Sequence, residues 1–231
     1  MLDALVNLPP ELWQALVLTL RLAAVVTGVL LFISVPLAWW LSGSHSRVAA
    51  VAEAIVGLPI VLPPTVIGFY VLALFAPDTW PGRLWFRATG ETLAFSFSGL
   101  VVGSVLYSLP YAVQPLAGAF RSVPQYFLDA STSLGAPAWV TFRRIVLPLS
   151  RRGLGVAAML SFAHTIGEFG VVVMLGGSIP GRTRVASIAL YDEVQKLNYP
   201  AAHAFAFLLL GISFVVLLIM TLLQRRAPRA G

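Results

Sequence analysis

Two side chains in this sequence have both the chemistry and the spacing to act together. His164 and Glu168 stand four residues apart, and on a helix that puts them on one face. An imidazole and a carboxylate so placed could hold a metal ion, relay a proton or brace a gate. Two ligands fall short of a structural zinc site, and no further histidine or cysteine lies near them in sequence. A carboxylate also repels anions, so Glu168 is a poor direct ligand for a negatively charged cargo. The preferred reading is a gate or packing role. The carboxyl would then bond across a dimer interface or to backbone freed by a neighbouring kink, and a plain structural hydrogen bond is the alternative. Elsewhere chemistry is sparse. No nucleophile–base–orienter set is visible. There is no G-x-x-x-x-G-K-[ST] phosphate loop, so the chain is not its own ATPase. There are no cysteines, which excludes disulfides, zinc–cysteine sites, iron–sulfur clusters and thiol catalysis.

The elements that must position His164 and Glu168 follow from composition. Of 231 residues, 58% are hydrophobic and 10% charged. A soluble domain carries about a quarter charged residues. No single soluble core buries this much apolar surface with so little charge left for its exterior. The class that remains is an all-α integral membrane protein, because the apolar runs are too long and too uniform for the alternating strands of a membrane barrel. The net charge of +6 sits on arginines that flank those runs, which points to topology and lipid headgroups and away from nucleic acid.

Runs of about 18 or more apolar residues read as membrane spans. Five are expected, at about 13–41, 48–75, 97–120, 153–175 and 201–223, within a single transmembrane domain of residues 1–231. Asp3 and Glu11 precede the first basic residue, Arg21, so the first span is read as retained and not as a cleaved signal. Arg21 near its outer end is expected to snorkel or meet a partner. Loop arginines and lysines set the orientation. Nine lie on one side (Arg47, Arg121, Arg143, Arg144, Arg151, Arg152, Arg225, Arg226, Arg229) and five on the other (Arg83, Arg87, Arg182, Arg184, Lys196). The N-terminus is therefore placed outside and the C-terminus in the cytoplasm.

Within the spans, Pro59, Pro63 and Pro64 break the hydrogen-bond ladder of the second. Freed carbonyls and Thr65 can then line a pathway, where irregular backbone is tolerated; a simple packing kink is the alternative. Pro110 and Pro115, with Ser108 and Tyr111 beside them, offer a weaker version in the third span. Gly28, Gly99, Gly103, Gly155 and Gly211 suit close helix packing. Glu53 is placed to pair with an arginine of the cytoplasmic side. Residues 77–95 and 176–200 are read as outer loops, the second with a short helix from about Arg184 to Lys196. Arg182 and Thr183 there could steer an oxyanion, touch a receptor or simply be solvated.

The cytoplasmic connection, residues 121–152, carries the most pattern. A first short helix starts near Pro124, places Tyr126, Phe127, Ala130 and Leu134 on one face, and stops at Gly135. A second begins near Pro137, places Trp139, Phe142, Ile145 and Val146 together, and ends at Leu147-Pro148. Two readings stand: a loop lying on lipid headgroups, or a docking element for a cytoplasmic partner.

Asp129-Ala130, then Gly135, then Ile145-x-Leu147-Pro148 resembles the coupling loop of importer-type ABC transporter permeases. That family's pattern begins Glu-Ala-Ala; here Asp129 replaces the Glu, with shorter reach, and Ser131 replaces the second Ala. The resemblance extends over roughly residues 12–223. Residues 58–68, LPIVLPPTVIG, residues 162–170, FAHTIGEFG, residues 176–183, GGSIPGRT, and residues 188–191, IALY, are similar to the molybdate/sulfate permease group, its molybdate branch most. The resemblance implies an importer-type permease fold with about five transmembrane helices and a cytoplasmic coupling helix–turn–helix. It implies a cell inner membrane location and a homodimer, since five spans are few to enclose a wide route. It further implies cytoplasmic ABC ATPase subunits that hold ATP and magnesium, an extracytoplasmic molybdate-binding protein, surrounding lipid, and no cofactor or metal in this chain. Asp129, Ala130, Gly135, Ile145, Leu147 and Pro148 would couple to the ATPase, and Pro63, Pro64, Thr65, Ser108, His164 and Glu168 would form pathway or gate. The expected cargo is molybdate or tungstate. A sulfate/thiosulfate permease is the neighbouring alternative, and a proton-coupled carrier or membrane enzyme using His164 and Glu168 is the alternative from another class.

Overall fold

The computed structural model describes residues 10–226, so Asp3 and Arg229 of the sequence reading lie outside the described residues. In chain order the helices are α1 (Pro10–Gly43), α2 (Arg47–Val61), α3 (Pro64–Leu74), α4 (Trp80–Thr89) and α5 (Phe97–Arg121). They continue as α6 (Gln125–Ser133), α7 (Ala138–Thr141), a π-helical turn (Phe142–Val146), α8 (Leu147–Leu149) and α9 (Arg151–Gly167). The last three are α10 (Gly170–Gly176), α11 (Ala186–Gln195) and α12 (Tyr199–Arg226). No strand occurs among the described residues.

Among the described residues three helices are long and apolar enough to cross a membrane alone: α1, α5 and the Tyr199–Ile219 part of α12. The number rises to five if each of two bent pairs counts as one span. α2 and α3 bend by 114° at Leu62–Pro63, far beyond a packing kink. The cause is local. Pro63 and Pro64 have no backbone N–H, and the two residues before them are steered to extended backbone, as Leu62 shows with ψ 138°. The second bend, 71°, separates Ala138–Leu149 from α9 at Ser150.

α1, α5 and α9 pack on one another most extensively and form the centre. Leu22, Val26 and Leu30 of α1 meet Leu100 and Ala112 of α5 and Val172 of α10 in one buried cluster. α10 lies between α3 and α5 through Val71, Val171 and Leu175. Gly103 allows this: a Cβ there would stand 2.1 Å from Leu175 Cδ1. Gly28, Gly155 and Gly211, by contrast, face open space within one chain, so the packing role expected of them is not exercised here. At the end where α1 begins, α12 covers α11 and α1 through Leu12, Ala15, Ala186, Ala189 and Phe205.

Polar caps set several boundaries. Ser46 accepts from Ala49 N at 3.1 Å and starts α2 after the tight Gly43–Ser46 turn. Ser96 accepts from Gly99 N at 3.0 Å and starts α5. The outer connection 77–95, expected as a loop, contains α4, capped by Thr79 at its start and by left-handed Gly90 at its end. Arg21 finds a partner inside the chain, its guanidinium lying 4.7 Å from the centroid of the Phe97 ring.

Candidate functional site: abutting helix breaks and the coupling pair

Two chain breaks meet at the centre. The first is the Leu62–Pro63 bend, which leaves Thr65 exposed near the start of α3. The second is Glu168–Phe169, where α9 stops and α10 begins. They touch: a Cβ on Gly170 would stand 2.7 Å from Pro64 Cγ and 3.4 Å from Thr65 N. Only glycine leaves room for the proline ring of the other break. Paired breaks of this kind, held in protein, are what membrane transporters use to place irregular backbone along a route. Gly170 belonged to a quoted motif without an assigned role; its signal was its place directly after Glu168-Phe169.

His164 and Glu168 do not share a continuous helix. α9 ends at Gly167, and Glu168 is extended with ψ 134°. Both nonetheless reach α5, one turn apart. His164 Nδ1 lies 2.9 Å from Ser108 Oγ, and the imidazole stacks on Tyr111 at 4.0 Å between centroids. Ser108 is also 3.5 Å from Thr165 Oγ1. Glu168 is buried within one chain, not presented to a partner surface. Neither carboxyl oxygen has a well-formed hydrogen bond among the described residues, and the polar group facing it is Ser104, itself buried and unpartnered. Its backbone carbonyl accepts from Ser187 Oγ at 2.6 Å. Ser104 was absent from the sequence reading; a small polar residue four before Ser108 in an apolar span was the available signal. Among the described residues no group of three potential metal ligands is found.

The helix pair expected within residues 121–152 forms as two short helices. α6 ends where Gly135 takes φ +69°, with Gly135 N and Ala136 N bonded back to Thr132 O and Ser131 O. Ser131 Oγ lies 2.7 Å from Thr141 Oγ1 and ties α6 to α7. The second helix runs past the expected Leu147-Pro148 end to Leu149. It passes Pro148 by widening into the π turn at Phe142–Val146, with Leu147 N bonded five residues back to Phe142 O. The wider turn accommodates a proline ring that an α-helix would force against the carbonyl four residues before it.

The two apolar faces of the pair have different fates. Phe142 is 4% exposed, stacked on Trp39 at 4.5 Å and edge-on to Phe120 at 5.8 Å. With Val146 it anchors the pair to α1, α5 and α9. Leu134 is 86% exposed, and Tyr126, Phe127 and Ala130 beside it are also exposed. Trp139 is exposed too, so the four residues grouped as one face in sequence divide between anchor and surface. Asp129 is exposed and accepts from Gln125 Nε2 at 3.0 Å. Behind α6 an open cavity of about 1100 Å³ is bounded by Ser44, His45, Gln125 and Thr132. At its edge Arg121 pairs with Glu53 at 3.1 Å, the partnership expected for Glu53. Gly135→Val is expected to impair the pair, because a β-branched residue disfavours positive φ. The thermal midpoint in detergent should fall, and an unchanged midpoint would refute this.

In the outer loop Thr183 is buried and not solvated. Its Oγ1 donates to Gly176 O at 2.6 Å and accepts from Ile179 N at 3.2 Å. Arg182 pairs with Glu91 at the surface. The buried cation is Arg184, which the sequence reading counted only toward topology.

Residues 34–229 match the family of binding-protein-dependent transport system inner membrane components. The chain belongs to that family. It is 46% identical over 217 residues to the molybdenum transport system permease protein ModB of Azotobacter vinelandii, which spans 94% of this chain and 95% of that protein. It is 31% identical over 212 residues to the sulfate transport system permease protein CysT of Synechocystis sp., 92% of this chain and 73% of that one. A chain in the crystal structure of a bacterial alginate ABC transporter, in complex with an alginate pentasaccharide-bound periplasmic protein, superposes with a TM-score of 0.79 at 17% identity. That match covers 96% of this chain and 81% of the other and shows a common fold. The importer-type permease fold expected from sequence is the fold found. This family member is an ABC importer permease, a transport subunit and not an enzyme.

Proposed function

We propose that the chain is the membrane subunit of an ATP-driven importer for molybdate or tungstate. The observation that carries this is the 46% identity to a molybdenum permease over nearly the whole of both chains. The lower identity to a sulfate permease, 31%, keeps sulfate second. Two copies would enclose the route; the outward apolar stripe of α2 (Val48, Val51, Ile55, Leu58) is open to a second copy or to lipid and supports that arrangement. Residues 121–152 face the cytoplasm in this reading, with the N-terminus outside.

The exposed face of Tyr126, Phe127, Ala130 and Leu134 receives the ATPase, with Asp129 at its edge and Gly135 shaping its turn. Ile145, Leu147 and Pro148 shape the second helix of the pair. Closure of the ATPases on ATP pushes the pair, and Phe142 passes the displacement to α1 and α5. The abutting breaks at Pro63, Pro64, Thr65 and Gly170 are the hinge through which the route alternates between two packings. Ser108 and His164 brace α9 on α5 there, and buried Glu168 responds to that movement as a gate. ATP and magnesium belong to the partner, and the cargo arrives on an extracytoplasmic receptor.

The test is ATPase activity of the complex in proteoliposomes, with ATP on the side of residues 121–152 and receptor on the side of α4. Molybdate-loaded receptor should stimulate hydrolysis and sulfate-loaded receptor should not. Stimulation by sulfate alone moves the cargo. Stimulation only with receptor and ATP exchanged across the membrane inverts the topology.

A further inference from the structure

α4 is held rigidly, yet much of its surface is unpartnered. Thr79 Oγ1 lies 2.7 Å from both Leu74 O and Ala76 O and accepts from Gly82 N at 3.1 Å. A Cβ on Gly82 would stand 2.0 Å from Ala76 O, so the first turn of α4 is pressed against the end of α3. Trp85 meets Phe75 edge-on at 6.0 Å. Two stripes then face outward at four-residue spacing. Trp80, 70% exposed, leads Leu84 and Ala88; beside them run Arg83 and Arg87.

Neither arginine has an ion pair among the described residues. Asp78 and Glu91 flank the helix, but Glu91 is taken by Arg182 at 3.1 Å, and neither acid reaches Arg83 or Arg87. Arg83 and Arg87 also rim a cleft of about 240 Å³ walled by Phe75, Pro77 and Phe86. Two unpaired cations above a largely apolar cleft, next to an exposed tryptophan, match an amphiphile with an anionic head. Tryptophan concentrates at the membrane–water boundary, and a helix directly following the α2–α3 pair stands at that boundary if the pair counts as one span.

We infer that α4 is an interfacial helix that binds an anionic phospholipid, its phosphate across Arg83 and Arg87 and its upper acyl segment in the Phe75–Phe86 cleft. The lipid fixes the depth of α4, and through Gly82 and Thr79 the end of α3, in the boundary layer. The inference rests on the membrane placement of the chain and not on its cargo.

The test uses the full chain assembled with its ATPase in phosphatidylcholine vesicles carrying headgroup spin-labelled phosphatidylglycerol, with the motionally restricted fraction read by electron paramagnetic resonance. The unmodified complex should restrict phosphatidylglycerol in preference to labelled phosphatidylcholine. R83Q/R87Q should bring phosphatidylglycerol restriction down to that of phosphatidylcholine, because the two charges that favour a net-negative headgroup are gone. R83K/R87K should keep most of the preference. Equal restriction of both lipids by the unmodified complex overturns the inference without any variant. So does unchanged restriction in R83Q/R87Q, or displacement of the label by free molybdate or phosphate, which would make the arginines an oxyanion site. Loss of receptor-stimulated ATPase in R83Q/R87Q with lipid restriction intact would assign the face to a protein partner.

Discussion

Phe142→Ala is expected to leave a complex that hydrolyses ATP but barely responds to loaded receptor. The ring ties the helix pair to α1 and α5, stacked on Trp39 at 4.5 Å and against Phe120 at 5.8 Å. Removing a buried phenyl ring costs about 3–5 kcal/mol. Coupling between distant sites is typically about 1–3 kcal/mol. The lost packing therefore exceeds the signal it has to carry, and the pair would move without moving α1 or α5. Receptor stimulation should fall at least about tenfold, while Phe142→Leu keeps much of it. Trp139→Ala is the contrasting control. That ring is 61% exposed, so its loss should weaken assembly with the ATPase and leave the anchor intact. Normal receptor stimulation in Phe142→Ala would show that displacement reaches the helices by another path.

Arg184→Met should destabilise the outer end of the chain while permitting membrane insertion. The Arg184 side chain is 6% exposed and lies 3.0 Å from Glu11, 3.0 Å from Asp192 and 3.7 Å from Glu193. It joins the start of α1 to α11 across 173 residues of sequence separation from Glu11. Methionine fills a similar volume but leaves Glu11 and Asp192 without that counter-ion, while Glu193 keeps Lys196 at 2.8 Å. Breaking a fully buried pair from one side costs about 3–5 kcal/mol, and the exposure of Glu11 and Asp192 puts this loss at the lower end of that range. The thermal midpoint in detergent should fall by about 10 °C. Arg182→Met is the control: its pair with Glu91 is more than half exposed on both sides and should contribute about 0–1 kcal/mol. Equal midpoints for the two variants would remove Arg184 from its structural role.

The same cluster gives stability a pH dependence. The Lys196 hydrogen bond holds Glu193 below the usual carboxylate range, with Asn198 and Arg184 adding to it against the opposing effect of burial. A depressed carboxylate stabilises the fold fully above its unfolded value. That contribution is lost as pH falls through the folded value. The outer end should thus loosen on the acid side of the ordinary glutamate range, and less so in Arg184→Met.

What was legible in sequence was what depends on neighbours within a few residues. Hydropathy marked the membrane class and the apolar runs, because the bilayer demands long uncharged stretches whatever they pack against. Gly135 between two amphipathic stretches marked the turn between α6 and α7. α4 was equally local. Its Trp80–Leu84 and Arg83–Arg87 spacings were readable, but Pro81, Gly82 and Gly90 gave the segment a loop composition. Proline in the first helical turn and glycine at the C-cap are in fact helix boundary signals.

Tertiary structure decided which of these residues meet. Prolines at 63 and 64 predict a break but not that Gly170 will pack on it, since that needs α10 to return beside α3. Helical spacing joined His164 to Glu168, yet the chain leaves the helix between them; His164 bonds Ser108 on α5, while the Glu168 carboxyl is buried without a well-formed hydrogen bond among the described residues. Arg182 and Arg184 look alike in the sequence; one lies at the surface and the other is buried among Glu11, Asp192 and Glu193. Local composition therefore determined the class, the apolar runs and the turn at Gly135. Burial, pairing and the meeting of the two breaks are non-local contacts, and their free energy exists only once distant segments are packed together.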